Sequence, residues 1–560
     1  MLQPFQHIAD LSEICYSEGV ESIVISPGSR NAPLTEAFYS RFGEKCHSIV
    51  DERSAGYFAL GMARYSRNPV VLICTSGTAV LNLSPAIAEA YYSQVPLLVI
   101  TADRPGEWID QQDNQTIRQK EVYRNIIKNS YHLKENPQGQ QELNQVHSMV
   151  FEAIQATCNH PRGPVHINVP LREPLYTTLP VASRGISSTL TDINNQETVV
   201  PDDLKQAWQN AKKVMIVHGQ DHPESANSKL LPKLAEFPGV VVLAENISNV
   251  NAGRVIAHTE LLFSHIQQEL LIPPDLLLYS GGQVVSKRLK NYLRALQNLP
   301  CWRIGIDDYV MDSFKQNNRV FSCRAEQAYA QLLNFVRGEE NKNEYVLSWK
   351  EASEKVKGIR NELQSDLPFS DVKAMKQVLE VLPQDSILEL GNSSAVRIAQ
   401  FFPSPAGIKL FSNRGVSGID GCLSAASGTA FVSGKLTISV LGDSAFMYDS
   451  NALWNKRLSP HLRVIILNNK GGGIFSLLDG PSSRSSYEEF FIAWHPVEIE
   501  KLAKAFNLNY FCCSDEKSLI SELPRFFQPA DRAGILEIKT ETANNVKAYR
   551  MMVGKESKAE

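Results

Sequence analysis

Hydrophobic positions in this chain fall into short unbroken runs separated by longer stretches of helical periodicity. In residues 1–182 the runs are Ser22–Ser26, His47–Val50, Val70–Thr75, Leu97–Thr101 and Val165–Val169. Runs of this kind predict strands buried on both faces, as in a parallel sheet. Several end in turn-forming or polar residues: Pro27-Gly28, Asp51-Glu52, Ser76-Gly77 and Ala102-Asp103. A second set follows at Val214–Val217, Val240–Leu243, Leu276–Tyr279 and Trp302–Ile306. A third comprises Ser386–Leu390, Lys409–Phe411, Leu436–Leu441, Arg463–Leu467 and Gly534–Ile538. Polar stretches at 183–200 and 338–349 predict linkers. The expected fold class is α/β, with three doubly wound parallel-sheet domains at 1–182, 201–337 and 350–560.

Composition narrows the function without naming it. The chain has 560 residues, 43% hydrophobic and 21% charged, which describes an ordinary globular protein. A net charge of −4 gives no reason to expect nucleic acid as a partner. No apolar run approaches the roughly 18 residues of a spanning helix, so stable membrane insertion is not expected. The start, Met1 to Asp10, lacks a basic region followed by an apolar one, so no signal peptide is expected. Nine scattered cysteines without CxxC pairing suggest reduced thiols and a cytoplasmic home.

The most informative chemistry lies at two strand ends in the third domain. Gly442-Asp443 ends one run, and Asn468-Asn469 ends the next, followed by Lys470-Gly471-Gly472-Gly473. A helical crossover from Asp449 to Leu458 fits between them, with Asp449 and Asn451 read as supports for the site or, in preference, as capping residues. A right-handed βαβ unit brings both ends to one edge of the sheet. Asp443, Asn469 and the Gly471 carbonyl then form a hard-oxygen set suited to magnesium on a diphosphate. Taken alone, each pair is also a common turn. Glu52 ends a strand ahead of a helix; it reads as a buried, partly protonated acid or, with Asp51, as a cap. Ser26–Asn31 and Thr75–Ala79 read as anion-binding loops at helix starts, with Arg30 as a carboxylate fork, or as plain turns. Neither is a Walker loop. Lys287, Arg288, Arg397 and Arg414 lie near predicted carboxyl edges, where α/β sites form. Ile419, set among glycines, reads as a support for a ring or as a core anchor. A non-catalytic nucleotide- or flavin-binding protein is the competing class, but no GxGxxG follows a strand of the second domain.

Taken together, the motifs resemble a known family. Ile25–Arg30, Asp51–Arg53, Thr75–Thr78, Thr101–Pro105, Asn114-Gln115, Ser286–Arg288, Gly391–Ser393 with Arg397, Asn413–Gly415, Ser417–Gly421 and Gly471–Phe475 occur in this order. They are similar to those of 2-succinyl-5-enolpyruvyl-6-hydroxy-3-cyclohexene-1-carboxylate (SEPHCHC) synthases, the MenD family of thiamine-diphosphate enzymes in menaquinone biosynthesis. The resemblance spans nearly the whole chain and is least specific in the central domain. Lys470 and Ser444 depart from the usual pattern without removing a proposed ligand. The resemblance implies pyrimidine-binding, central and diphosphate-binding domains in that order. It implies a transferase that decarboxylates 2-oxoglutarate and adds the succinyl carbanion equivalent to isochorismate by 1,4-addition, releasing CO2. An acetolactate-synthase-like carboligase or decarboxylase is the alternative within the same cofactor class. The implied cofactors are thiamine diphosphate and Mg2+, with Mn2+ as the alternative ion, held by Asp443, Asn469 and Gly471. The other implied cofactor contacts are Glu52, which is also the catalytic acid, Thr75, Ser76, Gly77, Ser417, Gly418, Ile419, Gly442, Ser444, Gly472 and Ile474. Isochorismate is implied near Ser29, Arg30, Gln115, Lys287 and Arg288. The 2-oxoglutarate carboxylate is implied near Ser393, Arg397 and Arg414, with Ile474 and Phe475 as walls. Enzymes of this shape hold the two ends of the cofactor on different subunits, which implies a homodimer or homotetramer.

Overall fold

The computed structural model describes residues 3–187, 198–250, 252–307, 309, 311–335, 344–477 and 483–554. They form two compact units. The first comprises residues up to 196 together with Asn413–Gly434 and Met447–Leu462; the second comprises the rest.

The first unit is built on a six-stranded sheet. Its strands are β1 (Ser22–Ile25), β2 (Cys46–Ser48), β3 (Val70–Cys74), β4 (Leu97–Asp103), β5 (Asn129–His132) and β6 (Val165–Pro170), in the order β2-β1-β3-β4-β6-β5. All described pairings are parallel, with Ile25 level with Ile73 and Ile73 level with Ile100. β3 and β4 are buried throughout, as expected for strands covered on both faces. β5 was not foreseen, because its half-exposed Asn-Ser-Tyr-His sequence carries no apolar run. One apolar core lies on each face, one including Ile25, Ile73 and Ile100, the other Val24, Leu72 and Val99.

The second unit carries two sheets. The five-stranded one contains β7 (Val214–His218), β8 (Val240–Ala244), β9 (Leu276–Ser280), β10 (Cys301–Ile304) and β11 (Arg319–Phe321), in the order β11-β10-β9-β7-β8. The six-stranded one contains β12 (Ile387–Leu390), β13 (Lys409–Phe411), β14 (Thr437–Gly442), β15 (Leu462–Asn468), β16 (Asn509–Cys513) and β17 (Gly534–Lys539), in the order β13-β12-β14-β15-β17-β16. One buried core runs from Met215 and Tyr279 through Trp349 and Val378 to Leu390 and Ile465, and a second, including Trp208, Ile216 and Leu278, lies on the other face of the five-stranded sheet.

Two expectations change. The linker expected over 338–349 is helical from Glu344, in the helix Glu344–Asp366. Tyr345 and Trp349 are buried there, and the Trp349 indole donates to the Ile272 carbonyl at 3.0 Å, so packing overrides the local polar composition. Residues 188–197 of the other expected linker lie outside the described residues. The crossover after β14 is also different. Its helix is Asp443–Tyr448, directly continuous with the strand, followed by a 3-10 turn at Ser450–Leu453. Asp449 does not cap with its side chain; its buried carboxylate accepts from the amide and hydroxyl of Ser424 at 2.6 and 2.7 Å. Asn451 instead donates to Asp51 at 2.7 Å.

In each sheet the strand order reverses beside the first strand, at β1/β3, β9/β7 and β12/β14. Loops diverge there and leave a crevice outside the carboxyl ends. In the first unit the helices Glu52–Ser66 and Cys422–Ser433 approach at backbone distance. A Cβ on Gly61 would lie 2.0 Å from the Ala425 carbonyl oxygen, and one on Gly428 2.0 Å from that of Phe58. Gly61→Val or Gly428→Val is therefore expected to destabilise this unit by about 1–3 kcal/mol or more. A lowered unfolding midpoint in a thermal melt is the expected result; an unchanged one would contradict the close helix contact.

Candidate active site

In the first unit, the β1/β3 crevice brings together the loops Ser26–Asn31 and Thr75–Gly77. A Cβ on Gly28 would lie 2.3 Å from the Thr75 side chain, so the loops touch and only glycine fits. The hydroxyls of Ser26, Thr75 and Ser76 are buried without a hydrogen-bond partner among the described residues. Gly77 has φ +76°, and a Cβ there would meet the Gln115 backbone at 2.9 Å. Its amide donates to Gln119 Oε1 at 2.9 Å. Gln119, fully buried, also donates to the Ala102 carbonyl and to Asn168 Oδ1.

Glu52 opens the helix Glu52–Ser66, and Asp51 is its cap, accepting from the Ser54 amide at 2.8 Å. The capping role therefore belongs to Asp51 and leaves Glu52 available. Glu52 is half-buried rather than enclosed, with Asn82 Nδ2 at 3.4 Å from Oε2. Arg30 differs from expectation. It is buried, and its two terminal nitrogens donate to the Leu171 carbonyl at 2.9 Å and to Glu173 at 2.8 Å, so it is not a free fork. Ser29 is exposed and 3.1 Å from the Tyr176 hydroxyl. Arg414 is buried in the first unit, beside Gly415 and Val416, whose amides donate to Glu89 at 2.7 and 2.8 Å. Ser417, at φ +64°, Gly418 and Ile419 follow, all half-buried.

In the second unit, Asp443 is buried at the end of β14. Its Oδ2 accepts from the Gly471 amide at 2.9 Å, and its Oδ1 from Ser444 at 2.6 Å. Burial raises its pKa above the ordinary carboxylate range. His495 approaches Oδ2 to 3.4 Å without hydrogen-bond geometry. Asn469 donates through Nδ2 to Asp371 at 3.1 Å, leaving its Oδ1 buried and without a partner among the described residues. Asp371 also accepts from Thr540 at 2.7 Å; burial, helped by the Asp443 charge, pushes its carboxyl up to about 6. A Cβ on Gly471 would lie 2.4 Å from the Ile492 carbonyl oxygen, and one on Gly472 2.3 Å from that of Phe491. This donor set fits a hard cation: a carboxylate, an orphaned amide oxygen and a backbone carbonyl at a glycine.

A cavity of about 590 Å³ lies in the same unit. It is lined by Lys287, Arg288, Arg397 and Ile474, four of the expected residues. Ser394 lines it rather than Ser393, which sits at φ +72° and accepts Arg397 Nη1 at its carbonyl. Phe475 packs on Phe491 instead of joining the lining. Glu260, Asn291, Tyr549 and Arg550 line it without having been foreseen, since no motif marks them. Glu260 is the one carboxylate among these described residues, against four cations.

Three family models cover the chain: the N-terminal thiamine pyrophosphate (TPP) binding domain of TPP enzymes at residues 8–122, the middle domain at 187–390 and the C-terminal TPP binding domain at 391–538. A 2-succinyl-5-enolpyruvyl-6-hydroxy-3-cyclohexene-1-carboxylate synthase from Desulfotalea psychrophila is 39% identical over 93% of this chain and 95% of its own length. One of the same name from Flavobacterium johnsoniae is 37% identical over 95% and 96%. The chain belongs to this synthase family. Within it, three parallel α/β sheets and a TPP-enzyme assignment agree with the expected fold class and cofactor. A benzoylformate decarboxylase from Polynucleobacter necessarius shares the fold, at TM-score 0.73 and 14% identity over 97% of this chain and 99% of that one. Among the described residues, no helix is long and apolar enough to cross a membrane.

Gln119→Leu should leave the Gly77 amide unpaired in the interior, at about 1–3 kcal/mol. The expected result is a lower unfolding midpoint together with weaker thiamine diphosphate binding. Wild-type values for both would show that Gln119 does not hold this loop.

Proposed function

We propose that the chain is a SEPHCHC synthase, decarboxylating 2-oxoglutarate and joining the succinyl unit to isochorismate by 1,4-addition. The observation that carries this reading is the cavity of about 590 Å³ where Lys287, Arg288, Arg397 and Arg550 outnumber a single carboxylate. Both substrates are dicarboxylates, and guanidinium forks bind carboxylates in two-point geometry. A pyruvate-specific carboligase has no use for so many cations.

Thiamine diphosphate, when bound, supplies the nucleophilic carbon and the electron sink that decarboxylation requires. Asp443, Asn469 and the Gly471 carbonyl would hold Mg2+ or Mn2+. Asp371 keeps the Asn469 amide turned so that Oδ1 is the free atom. Gly471 and Gly472 let the backbone close over this point where a side chain would collide. Glu52 would hydrogen-bond the aminopyrimidine of the bound cofactor through its carboxyl, and Ile419 would support the ring. Lys287 and Arg288 receive isochorismate, and Arg397 a carboxylate of 2-oxoglutarate, with Ile474 as an apolar wall. Arg414 neutralises further charge, and Arg30 takes part by exchanging Glu173, which is 71% exposed, for a substrate carboxylate. The protein works in the cytoplasm as a homodimer or homotetramer. Support comes from nine cysteines that form no disulfide and from Tyr39, Tyr176, Tyr448 and Trp454, each more than half exposed on the first unit.

Product should form only with both substrates present; efficient turnover of pyruvate without isochorismate would sink the assignment. Glu52→Gln should lower kcat by roughly two orders of magnitude or more while leaving cofactor affinity intact. Asp443→Ala should do the reverse, weakening cofactor binding measured by calorimetry. An unchanged affinity there would remove Asp443 from the metal set.

A further inference from the structure

A carboxylate in a cavity that receives dianions opposes its own ligand, so Glu260 needs a reason to be there. Its surroundings supply one. Glu260 Oε1 accepts from Arg288 Nε at 2.9 Å, and Oε2 accepts from the Ser286 hydroxyl at 2.6 Å. Both oxygens are committed. Arg288 makes no other hydrogen bond among the described residues, so its terminal nitrogens are left for the cavity that it lines. Lys287 beside it is exposed, lines the same cavity and has no ion-pair partner among the described residues.

A second carboxylate holds the backbone beneath. Glu245, buried at the end of β8, accepts from the amides of Val285 and Ser286, the latter at 2.8 Å, and from the Thr259 hydroxyl at 3.0 Å. Thr259 and Glu260 begin the helix Thr259–His265, and Ser286 caps the helix Lys287–Ala295, accepting from the Leu289 amide. Glu245 thus ties two helix starts together, and Glu260 ties the side chains that project from them. An arginine loses considerable rotamer freedom when it binds. Fixing Nε in advance removes part of that cost and aims the terminal fork.

We propose that Glu260 is a positioning and selectivity residue: it presents the Arg288 fork to a carboxylate of isochorismate and trims the cavity's positive charge so that small inorganic anions compete poorly. This inference rests on the function proposed above. Removing the Glu260 charge then has two effects of opposite sign. The aimed fork is lost, which weakens the ring substrate. The uncompensated positive charge grows, which strengthens any compact anion. Loss of local structure would weaken both.

The test is calorimetric titration of the cofactor-loaded protein, without 2-oxoglutarate, using isochorismate and separately inorganic phosphate as probes. For Glu260→Gln, isochorismate should bind about tenfold more weakly and phosphate about threefold more tightly. In an Arg288→Lys background, which lacks Nε, Glu260→Gln should weaken isochorismate no further. Glu260→Asp keeps the charge but shortens the reach, so it should weaken isochorismate without strengthening phosphate; it also serves if Glu260→Gln does not fold. Unchanged isochorismate affinity in a folded Glu260 variant, both ligands weakening together, or additive effects with Arg288→Lys would each overturn the inference. A wild-type protein that does not bind isochorismate would instead overturn the function on which the inference rests.

Discussion

Parallel pairing sends the carboxyl ends of neighbouring strands to one edge of a sheet, and the placement of the candidate residues depends on that constraint. Ser26–Arg30 and Thr75–Gly77 leave β1 and β3 side by side because those strands are neighbours in parallel register. Gly391–Ser393 and Gly442-Asp443 leave β12 and β14 in the same way. Ser286–Arg288 follows β9 beside β7, whose loop packs so closely that a Cβ on Gly219 would lie 2.0 Å from the Gly282 carbonyl oxygen. Each sheet's order reverses where these loops diverge, which opens space there without any special sequence at the opening itself.

Loops at such an edge need to be held, and here buried carboxylates and amides hold them. Glu89 takes the amides of Gly415 and Val416, Gln119 takes that of Gly77, and Glu245 takes those of Val285 and Ser286. Asp371 does the same for a side chain, fixing which end of the Asn469 amide is free. An acceptor buried in this way is stable only while its donors are present, so each contact joins loop geometry to local stability. The arrangement gives flexible, glycine-containing segments a definite shape before any ligand arrives.

Charge is handled similarly. Five basic residues could neutralise four carboxylates on paper, but the folded chain has already engaged some of them. Arg30 is spent on Leu171 and Glu173, and Arg288 is partly matched by Glu260. Arg550, from the helix Thr542–Met552, adds a cation that no motif suggested. Partial neutralisation keeps the empty cavity from carrying bare like charges at close range, whose repulsion would cost stability.

The apolar runs determined the α/β class and nearly every central strand, because a strand buried on both faces must be hydrophobic throughout. The spacing of Asp443, Asn469 and the glycines likewise determined the candidate cation site, because strand-end chemistry follows from strand position. Edge strands β5, β11 and β16 were not legible: most of their side chains are only partly buried or exposed, so no run as apolar as that of a central strand marks them. Nor was the helix beginning at Glu344, whose polar sequence is outweighed by the burial of Tyr345 and Trp349. Only tertiary structure decided that Asp51 caps while Glu52 does not, that Asp449 serves Ser424, that Arg30 is paired, and that Glu260 and Asp371 brace residues far from them in sequence. Apart from the local Asp51 cap, these are contacts across tens to hundreds of positions, and a hydrogen-bond partner has no local signature when any nearby donor or acceptor could fill the role.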